Sequence, residues 1–242
     1  MSRVNIVTRA FNRLEYTVLN IRNTYEMSNQ YPYTHIIIEQ NSSDGTKEWL
    51  KSMQKENFYP LKVKYNEINT GDAGGMKDGY DFSDDDCEFI MQLDNDLIPV
   101  TEKFIEKLVG IMDEDPKIGG IMLRRKGVGH KVGLTKKCKN VNGINLCEPN
   151  RLYSVFYRKS LLSKINFWSN KENIGWVFNI SQKIKSMGFD VLKTYEIEMS
   201  HIDGYKDVIK YPKTQQVHRY PFYFKTILKG GTNYKTIKYS DE

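Results

Sequence analysis

The stretch Phe89-Ile90-Met91-Gln92-Leu93-Asp94-Asn95-Asp96 decides the fold. Its first five residues form an apolar run, broken only by Gln92, of the length and composition of a buried strand in a parallel sheet. The run stops at two carboxylates, and open α/β sheets bind their ligands at the carboxyl ends of strands. On an extended chain, alternation puts Asp94 and Asp96 on one side, where they can face one cation. Hard carboxylate oxygens suit Mg²⁺ or Mn²⁺. The plain alternative is turn chemistry, because Asp-Asn-Asp also serves to end a strand.

Working outward, Val4-Asn5-Ile6-Val7 is a first strand, followed by the loop Thr8-Arg9-Ala10-Phe11-Asn12-Arg13. Apolar residues at Leu14, Val18, Leu19, Ile21 and Tyr25 predict a covering helix from Leu14 to about Met27. His35-Ile36-Ile37-Ile38-Glu39 is a second buried strand. The turn residues Asn41-Ser42-Ser43-Asp44-Gly45-Thr46 then lead into a helix carrying Trp49, Leu50 and Met53. Leu61 to Tyr65 alternates as a third strand. The glycine-rich stretch Asn69 to Gly79 reads either as a loop whose backbone approaches a ligand or as a tight loop with close helix packing.

Asp84, Asp85 and Asp86 are expected in a solvated turn without chemistry, and Thr101 as the cap of a helix over Phe104 to Met112. Ile118 to Leu123 is a short strand. Residues 124–151 are basic and weakly patterned, so they are either an anion-binding loop or a solvated flap. Order returns with a strand at Tyr153 to Tyr157, an amphipathic helix from Gly175 to Met187 stopped by Gly188, and a strand candidate from Phe189 to Leu192 that leads to the stretch from Glu196 to His201. Strands alternating with helices predict an α/β fold with a mostly parallel, Rossmann-like sheet flanked by helices. Residues 1–210 are expected as one domain and residues 211–242 as an aromatic, basic C-terminal extension packed on it.

Composition narrows the classes. A chain of 242 residues with 39% hydrophobic and 27% charged residues can bury a sizeable core, which excludes wholesale disorder. The 36 Lys and Arg against 30 Asp and Glu give a formal charge of +6, which favours anionic partners without choosing among them. Three cysteines argue against a disulfide framework and for a reducing compartment. Cys138, Cys147 and His130 lack the close pairing of a zinc site. No secretory leader and no long apolar span are evident, so a cytoplasmic protein without a transmembrane segment is expected.

Four of these pieces occur in an order that resembles family 2 glycosyltransferases, which have the GT-A nucleotide-sugar-binding fold. They are the Thr8-to-Arg13 loop, Glu39-Gln40-Asn41-Ser42-Ser43-Asp44-Gly45-Thr46, the Asn69-x-Gly71-x-Ala73 element reaching Gly79, and Asp94-Asn95-Asp96. The resemblance implies a donor pocket in which Glu39 and Gln40 hydrogen-bond the nucleobase while Thr8, Arg9, Ala10 and Phe11 line its side. Asp44, Gly71 and Asn95 belong to the same donor-binding motifs. Asp94 would lie near the ribose or the metal, Asp96 would bind the cation, and His201 would be a further ligand of Mn²⁺ or Mg²⁺. Lys77, or a basic residue of the 124–151 segment, could stabilise the leaving phosphates.

The implied activity is metal-dependent, inverting transfer from a nucleoside-diphosphate sugar, with UDP the expected nucleotide, to a hydroxyl of a glycan, a lipid-linked carrier or a modified DNA base. One feature departs from the family. Aligned on Gly188, Trp176 and Val177 stand where relatives carry an acidic pair. Glu172 is therefore the nearest candidate for the catalytic base, with Asp203 second. A non-catalytic relative that binds a glycan or nucleotide, and a nucleic-acid-binding protein using the basic segment, are the alternatives. Donor sugar, acceptor and oligomeric state stay open.

Overall fold

The computed structural model describes residues 2–126, 138–149, 154–165 and 176–201. Glu172, Asp203, the stretch 127–137 and the expected extension at 211–242 lie outside the described residues. The first half runs β1 (Val4–Ala10), α1 (Leu14–Ser28), β2 (Thr34–Glu39), α2 (Thr46–Glu56), β3 (Leu61–Tyr65), α3 (Gly71–Asp81) and β4 (Phe89–Gln92). It continues with β5 (Leu97–Pro99), α4 (Phe104–Glu114), β6 (Ile118–Lys126), β7 (Cys138–Val141) and β8 (Ile144–Cys147). The final elements are β9 (Val155–Arg158), α5 (Lys159–Leu162), α6 (Trp176–Ser186) and β10 (Asp190–His201).

The strands join in one sheet in the order β3-β2-β1-β4-β9-β6-β10-β8-β7, with β5 added against β10. The half from β3 to β4 is parallel. β9 then runs antiparallel between β4 and β6, so the sheet is mixed rather than mostly parallel. Alternation along the central strands sorts their side chains into two cores. Val4, Ile6, Phe89, Met91, Ile121, Leu123 and Phe156 pack under α4 through Phe104, Leu108 and Met112. Their neighbours Val7, Ile90, Met122, Val155 and Tyr157 pack on the opposite face with Met76 of α3, Leu161 of α5 and Ile180 and Ile184 of α6. Both faces are thus covered, which is why these strands read as continuous apolar runs.

Four local expectations are corrected. The glycine-rich stretch is a helix, α3, not a loop. Glycine costs about 1 kcal/mol relative to alanine inside a helix. Here the loss is offset by close approach, because a Cβ on Gly79 would lie 2.1 Å from Val7 Cγ1 and one on Gly75 2.4 Å from Gln40 Nε2. Thr101 does not cap α4: its hydroxyl accepts from Glu198 N–H at 2.9 Å, tying the start of that helix to β10. Asp84 is not a solvated bystander, since it accepts from Asn5 Nδ2 and Thr34 Oγ1, both at 3.0 Å, and from Lys62 Nζ at 3.1 Å.

The fourth correction concerns cysteine. Cys138 and Cys147 lie opposite each other in the β7–β8 register and form a disulfide, while Cys87 is free and buried. The hairpin turns at Asn142 (φ 51°) and Gly143 (φ 79°), the pair that a two-residue turn of this hand demands. Among the described residues no helix is long and apolar enough to cross a membrane.

Candidate functional site

From β1 the chain crosses to β2 and β3 on one side and later returns to β4 on the other. The carboxyl ends of β1 and β4 therefore flank a topological switch point, where the crossovers part and leave a crevice. A cleft of about 420 Å³ opens there, lined by Arg9, Phe11, Arg13, Gln40, Asn69, Gly71, Asp72, Asp94, Asn95, Asp96 and His201. Residues from the end of β1 and the loop after it, the residue after β2, the start of α3, the turn after β4 and the end of β10 thus converge on one space.

Asp94 and Asp96 reach it by a different route from the one expected. β4 ends at Gln92, and Asn95 and Asp96 form a turn closed by Leu97 N–H donating to Asp94 C=O at 2.9 Å. The two carboxylates face one cleft because of this turn, not because of strand alternation, so the turn chemistry and the ligand-site placement coexist. Each carboxylate has a basic neighbour. The Arg9 guanidinium donates to Asp94 Oδ1 and, at 2.9 Å, to Asp72 C=O. Arg13 Nη1 lies 3.5 Å from Asp96 Oδ2, and His201 Nε2 lies 3.4 Å from the same oxygen. The His201 ring and both guanidiniums are largely screened from bulk water, which strengthens these interactions over those of surface pairs.

Several other expected site residues do not line the cleft. Glu39 is fully buried, and its carboxylate accepts from Ser42 N–H at 2.6 Å and Asn41 N–H at 3.2 Å, with Lys47 Nζ at 3.9 Å. Asp44 accepts from Leu14 N–H at 2.9 Å and Thr46 N–H at 3.1 Å, so one carboxylate serves the first turns of α1 and α2. Thr8 and Ala10 are buried in the interior. Lys77 pairs with Asp81 one helical turn on, at the surface. Gln40 does reach the cleft, though its amide is engaged with Thr70 N–H at 2.7 Å and Gly71 C=O at 3.0 Å. Phe11, 47% exposed, presents a ring at the cleft.

Arg13, Asn69 and Asp72 are cleft residues to which the sequence reading gave no role, although Arg13 and Asn69 stand in two of the quoted motifs. A signal existed for Arg13: Asn12 and Arg13 both adopt positive φ (55° and 58°), and an Asn shortly after a strand is, glycine aside, among the residues most tolerant of that turn. Among the described residues, no three His, Cys, Asp or Glu side chains form a ready metal cage. The donor set nevertheless fits a partly substrate-held ion. Asp96 Oδ2 and His201 Nε2, 3.4 Å apart, are within joint reach of one cation with bonds of about 2.1 Å. Mg²⁺-type sites commonly take only one or two protein ligands and complete their shell with phosphates and water.

A helix-flanked sheet with acidic residues at its switch point defines an α/β protein of Rossmann-like build whose ligand crevice lies at that point. Comparison makes this specific. The family model described as glycosyl transferase family 2 matches residues 6–171, and the chain belongs to that family. No curated protein sequence matches it. Among solved structures, S. aureus TarS 1–349 in complex with UDP-GlcNAc superposes with a TM-score of 0.62 at 15% identity, over 83% of this chain and 58% of that one.

Mannosyltransferase PcManGT from Pyrobaculum calidifontis, in complex with GDP-Man and Mn²⁺, gives 0.64 at 14% identity, over 95% and 69%. GalNAc-T7 with UDP, GalNAc and Mn²⁺ gives 0.69 at 16% identity, over 82% and 43%. These likenesses establish the GT-A fold. The chain spans 36% to 60% of the length of the TarS chains it matches.

Proposed function

We propose that this chain is a metal-assisted glycosyltransferase that moves a sugar from a nucleoside diphosphate to an acceptor hydroxyl with inversion at the anomeric carbon. The observation that carries it is the turn at the switch point, which aims Asp94 and Asp96 into one cleft together with Arg9, Arg13 and His201. UDP-GlcNAc, UDP and GDP-Man in the structural neighbours support a nucleotide-sugar donor, and Mn²⁺ in two of them supports a divalent ion.

In this reading Asp96 and His201 hold the cation, which when bound offsets the charge that builds on the departing nucleoside diphosphate. Asp94 sits at the ribose side. Arg9 and Arg13, already paired with these carboxylates, can turn their guanidiniums to phosphate oxygens, which match a guanidinium as well as a carboxylate does. Phe11 offers a ring face to the base. Glu39 acts indirectly, by fixing the Asn41-Ser42 backbone beside the pocket. Glu172, or failing it Asp203, takes the proton from the attacking hydroxyl.

The test is turnover of UDP- and GDP-sugars with Mn²⁺. Slow donor hydrolysis that disappears in Asp96→Ala, while the variant still melts cooperatively, is the expected result. Loss of a metal-held carboxylate costs on the order of 10²-fold or more. A second reading, a nucleotide or glycan binder without transfer, is motivated by Trp176 and Val177 standing in place of the acidic pair. It predicts donor binding without hydrolysis across the whole panel. For the acceptor, steeply salt-dependent binding to duplex DNA selects DNA over a glycan or lipid carrier.

A further inference from the structure

Beneath the acidic turn lies a chain of fully buried polar side chains that the proposed reaction does not use. Asn20, on the inner face of α1, is 0% exposed, and its Nδ2 donates to Leu97 C=O at 2.7 Å and to Asp94 C=O at 3.1 Å. Those carbonyls bracket the turn that presents both carboxylates. Behind Asn20, Thr8 Oγ1 of β1 lies 3.4 Å from Asn20 Oδ1 and 2.9 Å from Nε2 of His35 in β2. We infer that Asn20, oriented by Thr8 and His35, is the positioning residue that holds the Asp94–Leu97 turn in donor-binding shape; this rests on the donor-site reading above.

Donor and acceptor counting fixes the direction of the chain. With two carbonyls to serve, the Asn20 amide nitrogen must face the turn and its oxygen must face Thr8. That oxygen accepts, so the single Thr8 hydroxyl proton points to Asn20, and the Thr8 oxygen is left to accept from His35. His35 therefore carries its proton on Nε2. The atom then left without a partner is Nδ1, a bare lone pair. The opposite tautomer would bury an unpaired N–H at Nδ1 and strip Asn20 Oδ1 of its donor, two unmet groups in place of one. Burial also holds His35 neutral, lowered to about 3, so the chain keeps its direction at any ordinary pH. The 3.4 Å link between Thr8 and Asn20 is its loosest step.

Ligands of a cation usually depend on partners behind them, whose loss typically costs about 10–100-fold in metal affinity. The test uses the full chain, with Asn20→Leu, Thr8→Val and the hydroxyl-retaining Thr8→Ser. Calorimetric titration with UDP plus Mn²⁺ is expected to show about 10–100-fold weaker binding in Asn20→Leu, an intermediate loss in Thr8→Val and near wild-type affinity in Thr8→Ser. Amide exchange at Leu97, whose N–H closes the turn, should accelerate in the first two variants while Ile36 and Ile37 of β2 keep their protection.

Wild-type affinity in a folded Asn20→Leu, or equal acceleration across the whole sheet, overturns the inference. If Asn20→Leu does not fold, Thr8→Val decides it by the same two readouts. If the wild type binds neither UDP nor Mn²⁺, the donor reading fails, and the local exchange at Leu97 still decides the clamp. A long-range ¹H–¹⁵N spectrum placing the His35 proton on Nδ1 refutes the direction of the chain.

Discussion

Glu39 ends β2 with no solvent exposure and both oxygens committed to the amides of Asn41 and Ser42. With no solvent exposure Glu39 reads a nucleobase directly only by shifting, and a shift that left those amides unpaired would cost about 1–3 kcal/mol each. Glu39→Gln removes one acceptor and the charge, so it is expected to lower stability by about 1–3 kcal/mol in urea unfolding while leaving the preference between UDP and GDP unchanged. A shift in that preference at wild-type stability would return Glu39 to the base. The carboxylates at Asp94 and Asp96 were legible because their chemistry is packed into three residues after an apolar run. Arg13 and Asp72 were not, since their place in the cleft depends on a positive-φ turn and a helix start that bring distant residues together.

At the scale of elements, period-two and helical patterns located the strands of the first half and its helices α1 and α2, but not α3. α3 was the instructive exception: glycines that argue against a helix in isolation are required by the Val7 side chain beneath Gly79. Gly79→Ala pushes a methyl to 2.1 Å from Val7 Cγ1, and overpacking of this kind costs about 1–3 kcal/mol. Combining it with Val7→Ala makes room, so the double variant should be more stable than the sum of the two single losses, checked by a double-mutant cycle in urea.

α1 hid its role in another way. Its apolar positions marked a covering helix, yet Thr17, Asn20 and Thr24 are also fully buried, and no hydrophobic period reports a polar face turned inward. The β7–β8 hairpin carried an Asn-Gly signal that its basic surroundings masked. Its disulfide spans a sequence separation of 9, so Cys138→Ser is expected to cost no more than about 3 kcal/mol, read as a lower urea midpoint without reductant and no difference with it.

Across the whole molecule, two buried groups titrate against each other. Burial, with Asp44 nearby, pushes the Glu15 carboxyl up to about 7 from 4.5, whereas burial lowers His35 to about 3 from 6.5. Stability changes with pH by the protons bound unfolded minus those bound folded, about 1.4 kcal/mol per pH unit for one proton. Between pH 3 and 6.5 the unfolded chain holds the His35 proton and the folded one does not, so this group makes stability rise with pH. Between 4.5 and 7 the folded chain holds the Glu15 proton and the unfolded one does not, so this group makes stability fall.

The two slopes cancel from 4.5 to 6.5, where a level stretch is expected. Below it His35 acts together with Asp78, Asp84 and Asp115, whose pairings with lysine, and for Asp78 and Asp84 also with Asn and Thr side chains, hold their carboxyls below the usual range and whose stabilisation is lost as acid protonates them. Glu15→Gln removes only the falling term. The variant should match wild type near pH 4.5 and gain on it by about 1.4 kcal/mol per pH unit, to a lead of about 3 kcal/mol above pH 7. Urea midpoints at three pH values decide it, since a wild type whose stability climbs steadily from pH 4.5 to 6.5 would show that Glu15 is ionised in the folded chain.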